Sequence, residues 1–327
     1  MSNNSPRFSI IICLYVVTER FFSDLAKFLL LNTDPTEYEL ILVTEKGQKL
    51  PTLPLPFRQV EATIQPISLG EKRDLGIAVA KGEFCALIDD DAYPHPDWLE
   101  AAAKIFDSDP QIAAVGGPNL TAPDDPWPAL VGGYIYESYL TSGAAQYRFL
   151  SRPRRQVAEL QGVNLIIRTS VLRQLGGFRS RLSSGDDTKV CRDIRALGYQ
   201  VIYDPAVQVW HHRRPFAVAH LKQIRNMGRH RGFFVKAYPE TLAPIYFLPT
   251  LFALCLLAGL FIAFIWLPSL IITLAVLLIG YLIAVLANIF RIGWRAALIV
   301  GWGILLTHLV YGLAFVHGLF LKRIERP

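Results

Sequence analysis

Two groups of carboxylates have the residue types and spacing for chemistry. Asp89, Asp90 and Asp91 follow directly on the apolar run Phe84-Cys85-Ala86-Leu87-Ile88. Adjacent carboxylates repel one another unless a cation or solvent offsets their charge. A hard divalent ion, Mg2+ or Mn2+, takes oxygen ligands and can in turn hold a substrate diphosphate. The plainer alternative is a solvated acidic turn. The second group is Gly185-Asp186-Asp187-Thr188, ahead of a helical pattern that ends at Gly198. An acid there either caps the helix or serves as a general base that takes a proton from an acceptor hydroxyl. The helix N-terminus lowers its proton affinity, and the neighbouring acid raises it again.

The elements that must position these groups alternate along the chain. Strand-length apolar runs occupy Phe8 to Tyr15, Glu39 to Thr44, Phe84 to Ile88, Ile112 to Val115 and Gly162 to Arg168, with a broken run from Val201 to Trp210. Helical spacing falls between them, at Glu19 to Leu31, Glu71 to Ala80, Asp97 to Phe106 and Asp187 to Leu197. This order predicts an α/β fold with a mostly parallel sheet covered by helices. Ligands in such sheets bind beyond the carboxyl ends of strands, which is where Asp89 to Asp91 fall. Residues 122 to 155, rich in Pro, Gly and aromatics and without a clean period, read as a loop that shapes the acceptor side.

Several ordered motifs make residues 8 to 236 resemble the inverting family 2 glycosyltransferases of the GT-A fold. They are Ser9-Ile10-Ile11-Ile12, Lys72-Arg73-Asp74 before Ala80-Lys81-Gly82-Glu83, Asp89-Asp90-Asp91, Gly162-Val163-Asn164, Gly176-Gly177-Phe178, Gly185-Asp186-Asp187-Thr188 and Gly198-Tyr199 leading to Tyr203-Asp204-Pro205. The resemblance implies a Rossmann-like catalytic domain that uses a nucleotide-sugar donor and a divalent metal, Mn2+ or Mg2+. It places Asp89 at the donor ribose with Asp90 beside it, Asp91 on the metal, and Asp187 as the base with Asp186 toward the acceptor. His211, in Trp210-His211-His212, falls where some members supply a further metal ligand, or else is a packed histidine. Tyr15 and Glu45 are the candidates for donor contact at the ends of the first two strands, although Val16 and Val17 replace the family's usual Asn and Thr44-Glu45-Lys46 its acid pair. Arg73 is expected to meet donor phosphate, or to pair with Asp74 or Glu71.

The last third of the chain has a different composition. Of the 327 residues 52% are hydrophobic, yet none from Thr241 to Phe290 is Asp, Glu, Lys or Arg. About Ile245 to Trp266 and about Leu270 to Phe290 each approach the roughly 20 apolar residues that cross a bilayer. A third stretch, about Ala296 to Leu321, carries Thr307 and His308 and resembles the tail of succinoglycan-type transferases in the family. The reading is a catalytic domain over residues 1–214, an amphipathic basic segment over 215–243 and about three transmembrane helices over 244–327. A helix from Phe216 to about Arg229 sets Ala217, Leu221, Ile224 and Gly228 on one face, with Lys222, Arg225 and Arg229 about a quarter turn away. It reads as an interfacial helix on the membrane, or as a helix packed on the domain.

The polar N-terminus has no signal-peptide pattern, and basic residues cluster before the first apolar stretch. Both place the catalytic domain on the cytoplasmic side of the inner membrane. The formal net charge of +6 abuts an apolar span without interleaved stacking aromatics, favouring anionic lipid and diphosphate over nucleic acid. The four cysteines show neither zinc nor CxxC spacing. The expected acceptor is a lipid-linked or membrane-associated saccharide. Polyprenyl phosphate is the rival acceptor, disfavoured because an ionised phosphate needs no base such as Asp187. An inactive nucleotide-sugar-binding scaffold is the other alternative.

Overall fold

The structure, a computed structural model, describes residues 5–50, 56–62, 67–180 and 185–322. In chain order the first elements are β1 (Phe8–Cys13), α1 (Glu19–Ala26), β2 (Tyr38–Glu45), β3 (Arg58–Ala62), α2 (Leu69–Val79), β4 (Phe84–Asp89) and β5 (Ala92–Pro94). They are followed by α3 (Trp98–Ser108), β6 (Ile112–Gly116), β7 (Asn119–Thr121), α4 (Trp127–Glu137), α5 (Tyr139–Ser142), β8 (Arg155–Gln156), β9 (Leu165–Arg168) and α6 (Thr169–Leu175). The last are α7 (Asp186–Ala196), β10 (Gln200–Tyr203), β11 (Val209–His211), α8 (Val218–Ala237), α9 (Leu248–Ile262) and α10 (Pro268–Phe320). The chain divides into two compact units, one of residues 5–120 and 147–212, the other of residues 121–146 and 213–322.

The first unit is built on an eight-stranded sheet of order β3-β2-β1-β4-β9-β6-β10-β8, with a second sheet of order β5-β11-β7. Strands β1, β2, β3 and β4 run parallel, and β9 runs antiparallel between β4 and β6. Register aligns Cys13 of β1 with Val43 of β2 and with Asp89 of β4, so three parallel strands end together. The sequence explains this core directly: the apolar runs of β1 and β4 are buried on both faces, as a sheet covered by helices requires. Helix α2 starts on a capping box, with Ser68 Oγ accepting from the Glu71 N–H and the Glu71 carboxylate accepting from the Ser68 N–H.

Two strand expectations change in detail. Gly162–Asn164 is a 3-10 turn and only Leu165–Arg168 is strand, because Asn164 turns inward to accept from Trp98 Nε1 at 2.9 Å and donate to the Val207 carbonyl at 2.7 Å. The broken run Val201 to Trp210 is two strands in different sheets, split at the Asp204-Pro205 turn.

The second unit is helical, and the part of the expected loop that falls within it, residues 122–146, is largely helix. α4 has no amphipathic period because it is buried nearly all round, with Val131 and Ile135 packed against Ala284, Val300 and Ile304 of α10. The linear division at residue 214 therefore differs from the folded one, since residues 121–146 join the helical unit. α8 runs on to Ala237, past the expected end near Arg229, and buries Ile224, Gly228 and Gly232. Gly228 and Gly232 face the α10 backbone from Tyr311 to Leu319. Its expected apolar face is only partly realised, because Ala217 is exposed and lies ahead of the first turn. Two helical stretches, Pro244–Ile262 and Pro268–Phe320, are long and apolar enough to cross a membrane. The second joins the expected second and third stretches, broken at Gly293, where φ is 76° and ψ is 161°. Thr307 pairs with His220 at 3.0 Å, and His308 Nε2 lies 2.9 Å from the Leu140 carbonyl.

Candidate active site

The site lies at the carboxyl ends of β1, β2 and β4, where the order β2-β1-β4 makes a topological switch. Asp89 is the last residue of β4, and Asp90 and Asp91 form the turn into β5. Strand β11 pairs with β5 so that His211 stands opposite Ala92, and this register brings His211 Nε2 to 3.2 Å from Asp91 Oδ1. Asp91 and His211, each expected as a metal ligand, are thus in direct contact with one another. Among the described residues no group of three or more His, Cys, Asp and Glu converges as a ready metal cage.

Arg73, on α2, is 3% exposed and ties the two acidic motifs together. Nη1 donates to Asp186 Oδ2 at 2.6 Å and Nη2 to Asp89 Oδ1 at 3.1 Å. Burial works against its charge, but Asp186 and then Asp89 outweigh burial and raise its pKa. The expected pairing with Asp74 or Glu71 is not made. Asp74 instead accepts from the backbone N–H groups of Phe178 and Arg179, holding the Gly176-Gly177-Phe178 turn, and Glu71 completes the α2 cap.

Asp186 and Asp187 open α7, and Gly185, not an acid, occupies the cap position. Asp187 Oδ2 accepts from the Gly162 N–H at 3.0 Å and Oδ1 from the Thr188 N–H at 2.7 Å. An ionised carboxylate has about four lone-pair sites, so two remain to take a proton. Burial, then Asp186, raises the pKa of Asp187, while Arg73 and the Gly162 N–H oppose the rise and Glu159 adds to it. Asp89 is raised as well, by burial first, against the pull of Arg73. Burial pushes the thiols of Cys13 and Cys191 up to about 12 and that of Cys85 to about 11, so none of the three offers a thiolate near neutral pH.

A second cluster lies at the ends of β1 and β2. Lys72 is fully buried; its Nζ donates to the Leu14 carbonyl at 2.7 Å, pairs with Glu45 and sits 3.6 Å from the centre of the Tyr15 ring. Tyr15 and Glu45, expected to meet the donor, are therefore joined by a lysine that the sequence marked only as part of a motif. Gly162 was likewise marked only by its motif. A Cβ there would fall 2.7 Å from the Arg73 guanidinium carbon, so the turn rests on Arg73 only because this residue has no side chain. Arg225 and Arg229 lie on α8 in the helical unit.

Residues 54–230, more than half of the chain, match the family model described as "Glycosyltransferase like family 2". The chain belongs to this family. Two relatives from Haloferax volcanii agree with the assignment. Glycosyltransferase AglE is 26% identical over 240 residues, covering 69% of this chain and 73% of the relative. Glucosyl-dolichyl phosphate glucuronosyltransferase is 25% identical over 219 residues, covering 62% and 68%. Among solved structures, the mannosyltransferase PcManGT from Pyrobaculum calidifontis, in complex with GDP-Man and Mn2+, aligns with 97% of this chain and 88% of its own at a TM-score of 0.59 and 21% identity. That likeness carries the GT-A fold, which the family 2 glycosyltransferase described here shares, with apolar helices after its catalytic unit.

Proposed function

We propose that this family 2 glycosyltransferase moves a sugar from a nucleotide donor, with inversion, onto a hydroxyl of a lipid-linked saccharide at the cytoplasmic face of a membrane. The observation that carries the reading is the set Asp89, Asp91 with His211, and Asp187 around one sheet end, the other three each within electrostatic reach of Asp89. Asp187 takes the proton of the acceptor hydroxyl as its oxygen forms a bond to the anomeric carbon. The bond from that carbon to the diphosphate oxygen breaks on the opposite face, and the nucleoside diphosphate leaves. Asp89 and Asp90 receive the donor ribose side, and Tyr15 and Glu45 the nucleobase side.

Asp91 and His211 suit a divalent ion. Carboxylate oxygen and imidazole nitrogen are donors such an ion accepts, and His211 Nε2 and Asp91 Oδ1 lie 3.2 Å apart. Held there, Mn2+ or Mg2+ would supply positive charge for the departing diphosphate. The neighbour solved with GDP-Man and Mn2+ supports this choice.

The lipid-linked acceptor is supported by the relative named for glucosyl-dolichyl phosphate, and membrane residence by the two long apolar helices and the basic α8. Confining enzyme and acceptor to one surface raises the effective concentration of each for the other. The deciding experiment incubates the full chain in lipid with several nucleotide sugars, with and without Mn2+, and membrane lipid extract, followed by product analysis. Metal-stimulated appearance of a glycosylated lipid-linked saccharide is the expected result. Transfer only to polyprenyl phosphate, or nucleotide binding without turnover, would replace the reading with one of its rivals.

A further inference from the structure

Arg73 stands where a donor-phosphate ligand was expected, yet its guanidinium is enclosed. Both terminal nitrogens are taken by carboxylates from different motifs, the Phe178 ring centre lies 5.5 Å away, and Gly162 covers the guanidinium. The N–H of Gly162 is in turn the donor that holds Asp187 Oδ2. Contacts therefore run without a gap from Asp89 through Arg73 and Gly162 to Asp187, and from Arg73 through Asp186 to the first turn of α7.

We propose that Arg73 is a positioning residue that binds no donor itself, and that it fixes the place and readiness of Asp187 by supporting Gly162 and anchoring Asp186. The proposal rests on Asp187 being the base. Arginine suits the task because a planar fork with two parallel nitrogens reaches two carboxylates while keeping its charge at every working pH. A lysine would offer a point charge and no flat face for Gly162. The charged and titratable groups facing Asp187 are Asp186 on its own helix, Arg73 on α2, Asp89 on β4, Glu159 with its partner Arg148, and the Cys191 thiol. Arg73 is the cation that directly opposes the acids around the base.

The test compares pH–rate profiles of transfer for four variants in lipid. Arg73→Gln removes the opposing cation, so Asp187 holds its proton to higher pH, and the acidic limb should move up by roughly one unit with a 10-fold or greater fall in kcat. Asp186→Asn removes an acid that raises Asp187, so the limb should move down. Arg73→Lys should restore the limb more fully than it restores kcat. Limbs that stay at the wild-type pH in both Arg73→Gln and Asp186→Asn would overturn the proposal, because a purely structural arginine lowers activity without moving them. Should Arg73→Gln fail to fold, Asp186→Asn decides alone, and an unmoved or raised limb counts against the proposal. Asp187→Asn separates the two levels. If that variant is active, the base assignment itself falls; if it is inactive while the limbs stay still, only the role of Arg73 falls.

Discussion

Arg291 and Arg73 each meet a buried carboxylate, and their surroundings differ in charge balance. In the helical unit Arg291 of α10 pairs with Glu137 of α4, and its other nitrogen donates to the Tyr134 carbonyl at 3.1 Å and to Asn288 at 3.4 Å. One cation meets one anion there, and neutral groups take what remains. In the catalytic unit Arg73 meets Asp186 and Asp89, and Asp187 and Asp91 lie close by. Carboxylates outnumber cations, which costs stability as long as nothing else arrives. A balanced pair needs no further partner and explains itself as structure. An excess of negative charge at strand ends is what the proposed metal and the proposed base would use, and of these two sites the Arg73 one has it.

The sharpest way to break that contrast is to neutralise the proposed base. Asp187→Asn keeps the shape but has a single accepting oxygen, so it can hold the N–H of Gly162 or of Thr188 and not both; transfer to a hydroxyl should fall by at least about 100-fold with donor binding retained. In the wild type an acidic limb should appear, because only ionised Asp187 accepts a proton; activity is lost as pH falls through its raised pKa. That limb should be missing from residual activity of the variant, and robust transfer by folded Asp187→Asn would reject the role.

Asp91→Ala comes next. It removes one excess carboxylate from a partly exposed turn, so the protein should melt near the wild-type temperature while Mn2+-stimulated transfer is lost. Near-normal rates at low Mn2+ would sink the metal assignment. The balanced pair should behave in the opposite way. Glu137→Ala leaves Arg291 unpaired and should cost roughly 1–3 kcal/mol in stability, and a second change, Arg291→Leu, should recover part of it. Activity per folded molecule should change little in both, and a catalytic defect without a stability defect would erase the distinction drawn above. The smallest effect is expected from Arg225→Glu with Arg229→Glu, which should weaken use of a lipid acceptor more than hydrolysis of donor by water. Equal loss of both activities would point to donor binding or folding instead.

The strands of the catalytic unit were legible because a sheet buried on both faces writes itself as short unbroken apolar runs, as in Phe84 to Ile88. The acidic motifs were legible because charge repulsion and strand-end placement are local properties. α4 was not, since a helix buried nearly all round has no polar stripe to set a period, and Gly132 and Gly133 read as loop residues. Nor were the partners of Arg73, because Asp186 is 113 positions away in sequence and no local rule selects it over Asp74. Lys72 was hidden for the same reason: a lysine on a helix reads as solvated until the ends of β1 and β2 close over it.

The glycines along α8 and α10 have a mechanical consequence. Gly228 and Gly232 of α8 and Gly318 of α10 sit against the opposing backbone, with a Cβ at Gly232 or Gly318 falling 3.0 Å from the other's Cα. Contacts of this kind leave no layer of long side chains to deform between the two rods. In the proposed membrane setting α8 and the last segment of α10 would tilt as one lever, and a bilayer thick or thin enough to change the inclination of α10 would turn the charged face of α8 with it.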